Sequence, residues 1–366
     1  MARVRLLDAV DGECPDRIDG QLVEIGGQGH ENHCSRDPAI LRDMPPIPRP
    51  GRPRRPRRPA RGPKIVVLGD LMLDVVMAPT RPLEAGTDVP GRVALVQGGS
   101  AGNTARWLAR LGARSSLIAA VGRDVAGRAL VAALRQDGVA PHVIRVSAVR
   151  TGRIGVFVTP DGERSFVADR AAADRLEPAD LRAAWFDRAD ALHLPVYSLL
   201  GAPLGLAGQR AIELGRSAGA SVSVDLASIG PLLADGRGPA QALIADIAPD
   251  LLFATALEAE ALLGLRDPEG LLDLAQVAVV KRGPKGSTVL TRLGTGRSRF
   301  EIATEHLATR DTTGAGDAFD AGFLVGWFGA RLAGRSLSVS LQRAALAGHR
   351  AAARQISTAR PELPLA

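Results

Sequence analysis

The sequence predicts an α/β fold built on a mainly parallel sheet with helices on both faces. Three observations carry this expectation. Short apolar runs rich in β-branched residues recur along the chain, segments of helical periodicity separate them, and glycine closes the first two of those segments. A run that is apolar throughout, rather than alternating, suits a strand covered on both sides, and such strands belong to parallel sheets.

The elements follow in order. IVVLG (65–69) is the first buried strand. The segment Val75 to Val96 reads instead as antiparallel strand. Asn103 to Leu111 places Ala105, Leu108, Ala109 and Leu111 on one helical face and stops at Gly112, a natural C-terminal cap. SSLIAAVG (115–122) is a strand, and a second helix runs from Ala126 to Gln136 and ends before Gly138. GRIGVFVTPDGERSFVA (152–168) alternates around an Asp161-Gly162 turn, the pattern of a hairpin. Further strands are SVSVD (221–225), DLLFA (250–254), VAVVK (277–281) and STVLT (287–291), and His193 also lies on an apolar strand. The two antiparallel segments, about 75–97 and 151–168, interrupt the βα alternation and are expected to form a small β lid.

The chain has 366 residues, 46% hydrophobic and 23% charged, enough for one large domain or two smaller ones. Its 41 Gly and 25 Pro stand against three Trp, one Tyr and eight Phe, which excludes collagen-like, coiled-coil and aromatic-stacking single-strand binders. The formal charge of +7 is almost all arginine, with Lys only at 64, 281 and 285, and is densest from Arg49 to Lys64. There PPIPRPGRPRRPRRPARGP (45–63) can form neither helix nor inner strand, because proline lacks the N–H and extends its neighbours. Residues 1–63 are therefore expected to be a disordered Arg/Pro-rich extension, and nucleic-acid binding through it is the less favoured reading. Cys14 and Cys34 leave the folded body without a disulfide framework, and with His30 and His33 they lack the paired spacing of a zinc site. No apolar stretch approaches 18 residues, and Asp8 and Asp11 interrupt the opening segment. The expectation is a cytoplasmic protein that is neither exported nor inserted in a membrane.

Two glycine-rich motifs carry chemistry. In DTTGAGDAFDAGF (311–323) a flexible turn runs into a helix, whose first N–H groups and positive dipole end suit a phosphate. Gly314, Ala315 and Gly316 leave the backbone open, and Asp317 stands at the mouth of this cradle, where a carboxylate can take a proton from an attacking hydroxyl. Taken alone, the same residues also fit an ordinary capped helix start. Far upstream, GGSAGNTA (98–105) is a second glycine-rich entry to a helix. Gly98 and Gly99 permit close approach of a ligand, and Asn103 offers both donor and acceptor to hydroxyls.

Together with GDLMLD (69–74), LEAEALLG (257–264) and KRGPKGS (281–287), these segments resemble the ribokinase-like (PfkB) family of sugar and nucleoside kinases, across about residues 64–360. The resemblance implies a ribokinase-like three-layer sandwich with a small β lid, and phosphoryl transfer from ATP with Mg²⁺. By the same resemblance, Asp317 would be the general base, with the amides after Gly314, from Ala315 through Gly316 to Asp317, as the anion hole. Asp74, Gly98, Gly99 and Asn103 would hold the acceptor. Glu258 would organise Mg²⁺ and phosphate through water, and Gly283 and Gly286 would follow the nucleotide. Asp311 and Thr313 match a loop that meets a monovalent cation such as K⁺ in many members. The lid often mediates dimers in this family, so a homodimer is expected.

Several positions depart from the family pattern. Thr255 replaces the Asn of an Asn-x-x-Glu element, Ala171 to Ala173 stand where many relatives carry Gly-Ala-Asn, and Ser100 stands where ribokinases carry Lys. LHLPVYSLL (192–200) also lacks an acidic sugar contact. These differences argue against a strict ribokinase, give a typical fructokinase no better support, and leave the acceptor open. The expected function is an ATP-dependent kinase acting on a sugar hydroxymethyl group. The alternatives are a nucleoside kinase, such as one for pseudouridine, and a non-catalytic binding or regulatory member. His193 and His349 are expected to pack rather than react, and one of Glu258 and Glu260 to be solvated.

Overall fold

A computed structural model of the chain describes residues 62–159, 164–294, 296–305, 307 and 312–365. The expected extension thus lies almost wholly outside the described residues, as do Cys14, Cys34, His30, His33, the Asp161-Gly162 turn and Asp311.

The chain runs β1 (Lys64–Leu68), β2 (Met72–Pro79), β3 (Gly91–Gly98), α1 (Ser100–Arg110), β4 (Arg114–Gly122), α2 (Val125–Gln136) and β5 (Ala140–Val146). It continues through β6 (Arg153–Val158), β7 (Arg164–Asp169), β8 (Ala191–Pro195), α3 (Leu204–Ser217), β9 (Ser221–Asp225), α4 (Ile229–Leu232) and α5 (Arg237–Ile247). The last part comprises β10 (Leu251–Thr255), α6 (Ala256–Leu263), β11 (Val277–Lys281), β12 (Ser287–Thr291), β13 (Ser298–Ile302), α7 (Ala315–Leu332) and α8 (Leu337–Ser357).

Among the described residues the strands form two sheets. The larger has the order β13-β12-β11-β10-β9-β8-β1-β4-β5, parallel except where β12 pairs antiparallel with both neighbours. β1 shows why the sheet is a middle layer. Ile65 and Val67 join one hydrophobic cluster with side chains of α1, α2, α7 and α8, whereas Val66 and Leu68 join another with side chains of α3, α5 and α6. A strand whose successive side chains point to opposite faces and are all buried needs a helical layer on each side.

The smaller sheet has the order β3-β2-β6-β7 and is made of the two segments expected to form a lid. Each is an antiparallel hairpin, as read from the alternation, and the hairpins are joined by a parallel β2–β6 pairing that alternation alone does not reveal. Asp124 caps α2 by accepting from the Gly127 N–H at 2.8 Å, and also accepts from Thr151 just before β6, tying helix and hairpin together. After α8 the chain returns to the smaller sheet. The Leu363 N–H donates to the Leu95 carbonyl at 2.7 Å, and Glu362 bridges Val96 on the edge strand β3.

Candidate active site

The parallel strands β9, β10 and β11 end in Asp225, Thr255 and Lys281. Ligands of open α/β sheets bind beyond these carboxyl ends. Above them stands the start of α7. Gly314 adopts φ 76°, a left-handed turn that favours glycine, and supplies no side-chain cap. The Ala315 N–H donates back to the Thr312 carbonyl at 3.1 Å, so one of the three amides expected to form an anion hole is engaged within the turn. The amides of Gly316 and Asp317 have no acceptor among the described residues.

Asp317, in the first turn of α7, accepts from Ser100 Oγ at 2.6 Å and from Asn103 Nδ2 at 2.8 Å. Both donors lie on α1, so the two glycine-rich motifs meet through this carboxylate. Desolvation pushes the pKa of Asp317 up to about 6, against the lowering effect of those two hydrogen bonds. Asn103 is itself oriented by Arg106, which donates to its Oδ1 at 2.5 Å and to Gln97 Oε1 at 2.5 Å. Burial lowers the pKa of Arg106 to about 10, so the guanidinium stays charged at neutral pH.

Asp74 is 4% exposed and lies on β2 directly beneath Gly98, where a Cβ would overlap its carboxylate. Its Oδ2 accepts from Arg360 at 2.9 Å, and its buried Oδ1 has no partner among the described residues. Gly99 adopts φ 87° and passes close to the backbone of Asp70 and Met72. Asp70 accepts from the Ala101 N–H at 3.1 Å, doing the capping that Gly99 cannot.

Below α7, Lys281 Nζ donates to Asp225 at 2.9 Å and to both Asp320 oxygens at 3.1 Å. The two carboxylates hold its pKa up despite burial. Burial pushes the pKa of Asp320 well up. Glu258 is also raised, first by burial and then by the charge of Asp225, which makes this corner attractive to a cation. At the departure Thr255, the side chain caps α6. Its Oγ1 accepts from the Glu258 N–H at 3.2 Å, while its own N–H donates to Glu258 Oε2 at 2.7 Å, a reciprocal cap for α6. Glu260 is exposed, as one of the pair was expected to be.

Gly283 and Gly286 flank the β11–β12 turn with φ 56° and 86°, and a Cβ at Gly286 would strike the Ile302 carbonyl. Thr313 Oγ1 accepts from Arg164 at 2.7 Å and its carbonyl from Gln355 Nε2 at 2.9 Å. Ala172 and Ala173 are buried in a short 3₁₀ turn after Arg170, which stacks on Tyr197 and pairs with Asp174 and Asp70. His193 is buried, bonded to Ser223 Oγ at 2.9 Å, and pushed down to about 4 by desolvation. His349 bonds Ser287 Oγ and packs edge-on to Phe319. Arg106, Asp225, Lys281, Asp320, Gln355 and Arg360 were not singled out from sequence. Of these, only the Asp320 spacing, one helical turn after Asp317, marks a shared face.

The sequence profile described as pfkB family carbohydrate kinase matches residues 63–363. The chain belongs to the pfkB family of carbohydrate kinases. Among relatives of this pfkB family kinase, Fructokinase-1 of Zea mays is 32% identical over 275 residues, covering 71% of this chain and 82% of the maize protein. The adenosine kinase of Sinorhizobium meliloti superposes with a TM-score of 0.70 at 25% identity, covering 84% of this chain and 98% of its own. A fructokinase of Vibrio cholerae, solved with fructose, ADP and calcium ion, superposes with a TM-score of 0.67 at 22% identity, covering 83% and 96%, and bears on the fold alone. The pfkB family kinase thus has the expected ribokinase-like α/β fold, and no helix among the described residues is long and apolar enough to cross a membrane.

Proposed function

We propose that this carbohydrate kinase transfers the γ-phosphoryl group of ATP to a hydroxymethyl group of a sugar, with fructose the first acceptor to test. The observation that carries the proposal is the enclosed Asp317 carboxylate at the uncapped start of α7, held as an acceptor by Ser100 and Asn103. A carboxylate with a pKa of about 6 is ionised at neutral pH, yet basic enough to take the hydroxyl proton as the oxygen attacks. The amides of Gly316 and Asp317 face the position of the transferring phosphate, with Gly314 and Ala315 shaping the turn. Phosphoryl transfer needs this positioning and charge stabilisation more than covalent help.

Asp74, through its unpartnered Oδ1, accepts an acceptor hydroxyl. Gly98 and Gly99 keep that approach open, and Asn103 adds polar contact beside the base. Gly283 and Gly286 follow the nucleotide. Magnesium commonly binds through one or two carboxylates together with substrate phosphates, and Glu258, on its raised and negatively surrounded corner, fits that use. There it would neutralise charge on the phosphates. Thr313 Oγ1 and its carbonyl each accept a hydrogen bond, which does not by itself bar a monovalent cation, since such oxygens carry two lone pairs, and Asp311 lies outside the described residues. The smaller sheet serves as the lid that excludes water, and its exposed Val93, Phe166 and Val167 favour a homodimer through that sheet, measurable by light scattering. ATP dependence favours a cytoplasmic location.

Two alternatives lose ground. The Thr255 side chain keeps a capping role beside Glu258, which weakens one motive for a non-catalytic member, and the 32% identity to the maize fructokinase supports a sugar acceptor. The test is ADP release from ATP and Mg²⁺, with and without KCl, over fructose, ribose, adenosine and pseudouridine, with Asp317→Asn as control. Acceptor-dependent ADP lost in the variant supports the reading. An Asp317→Asn protein with wild-type turnover removes Asp317 from the role.

A further inference from the structure

Asp74 has a partner from a part of the chain that no motif includes. The segment after α8 returns to the edge strand β3, where Leu363 is buried and its N–H donates to the Leu95 carbonyl, Glu362 bridges Val96, and the Glu362 side chain pairs with Arg92 at 2.9 Å. This strap carries Arg360, whose side chain is 14% exposed, onto the Asp74 carboxylate at 2.9 Å. The guanidinium takes Oδ2, and the buried Oδ1 has no partner among the described residues. A side chain at Gly98 would overlap the same carboxylate, so glycine there leaves Oδ1 uncovered on that side.

We infer that Arg360 is a positioning residue for the acceptor sugar: it fixes the rotamer and charge of Asp74 so that Oδ1 is presented to an acceptor hydroxyl. The inference rests on the reading that Asp74 binds the acceptor. The physical reason is the cost of a buried carboxylate. Burial raises the pKa of Asp74, and the charge and hydrogen bond of Arg360 pull it back down, so without the guanidinium the neutral acid forms more readily, and its hydroxyl would compete as a donor with the sugar. An arginine beside one oxygen keeps the group an acceptor at the other. The charged groups facing Asp74 are Arg360 from the strap, Arg106 from α1 and Asp70 from the β1–β2 loop, and of these only Arg360 donates to it directly. The strap therefore completes an acceptor site that β2 and the GGSAGN turn begin.

The test compares full-length wild type, Arg360→Ala, Arg360→Lys and Asp74→Asn, with fructose as acceptor, or ribose or adenosine if fructose is not turned over. Arg360→Ala is expected to raise the acceptor KM by roughly 10- to 100-fold, to leave the KM for ATP within about two-fold, and to move the acid limb of kcat/KM to higher pH. Arg360→Lys should recover part of the loss by restoring the charge, which also separates the effect from misfolding. In the Asp74→Asn background, Arg360→Ala should add little. Asp74→Asn that raises the acceptor KM beside an Arg360→Ala that does not would overturn the inference and leave the acceptor-site reading standing. An acceptor KM unmoved by Asp74→Asn would overturn that reading itself. A lowered acceptor KM in Arg360→Ala would make Arg360 an occupant that the sugar must displace, and would also overturn the inference.

Discussion

Asn103 donates to Asp317 at 2.8 Å, joining residues 214 positions apart, while its other amide atom accepts from Arg106. A guanidinium can only donate, so Arg106 fixes which way the Asn103 amide faces. The proposed base is thereby aimed through a chain of three side chains that starts inside α1.

Replacing Asp317 with Asn is expected to lower kcat by about 10² to 10⁴, equivalent to roughly 3 to 5 kcal/mol of transition-state stabilisation. Its effect on stability has the opposite sign. Because the folded pKa is raised to about 6, the native state binds this proton more tightly than the unfolded chain, and stability falls as pH rises from the ordinary carboxylate range through 6. At pH 8 the ionised group costs at most about 3 kcal/mol, which the Asn variant escapes. Thermal melts should show a larger gain over wild type at pH 8 than at pH 5. A net loss at pH 8 would mean that the bonds from Ser100 and Asn103 outweigh desolvation.

Ser100→Ala removes one of the two hydrogen bonds that hold the pKa of Asp317 down. The acid limb of the kcat/KM profile should therefore move above about 6 while the alkaline side stays in place. An unmoved limb would assign that titration to another group.

Lys281 donates to two buried carboxylates, so Lys281→Met leaves Asp225 and Asp320 without their shared cation. Breaking a buried pair in this way costs roughly 3 to 5 kcal/mol. Urea denaturation at pH 7 should show the deficit, and at pH 5, where Asp320, whose pKa burial already raises, takes up a proton more readily, the deficit should shrink.

At Thr255 the family residue can be restored. Asn and Thr are both good N-caps, so Thr255→Asn should keep stability and activity, whereas Thr255→Val should lose about 1 kcal/mol and leave the Glu258 N–H without its side-chain acceptor. Equal behaviour of the two variants in chemical denaturation would remove the capping role.

The central sheet is legible in the sequence almost residue for residue: SVSVD is β9 and VAVVK is β11. Helix α1 begins three residues before the expected Asn103, because Asp70 caps it from outside its own segment. The site divides in the same way. Asp317 and Asn103 stand in motifs whose residue types announce their chemistry. Lys281 reads as a polar strand end until the fold brings Asp225 and Asp320 to it, and Arg360 reads as one more arginine in an arginine-rich chain. Charge pairing across the sequence leaves no periodic trace, so partners supplied by distant elements stay hidden in a single sequence.

The parallel pairing of β2 with β6 has a consequence for how the molecule is assembled. Each hairpin of the smaller sheet can close locally, but the seam between them spans α1, β4, α2 and β5. Joining strands so far apart carries a loop-closure cost that is met most easily once the intervening βα units have already docked. The smaller sheet thus closes only after the α1–β5 units that its seam encloses, and a chain emerging from synthesis can complete it before β9, β11 and α7, which carry Asp225, Lys281 and Asp317, have appeared.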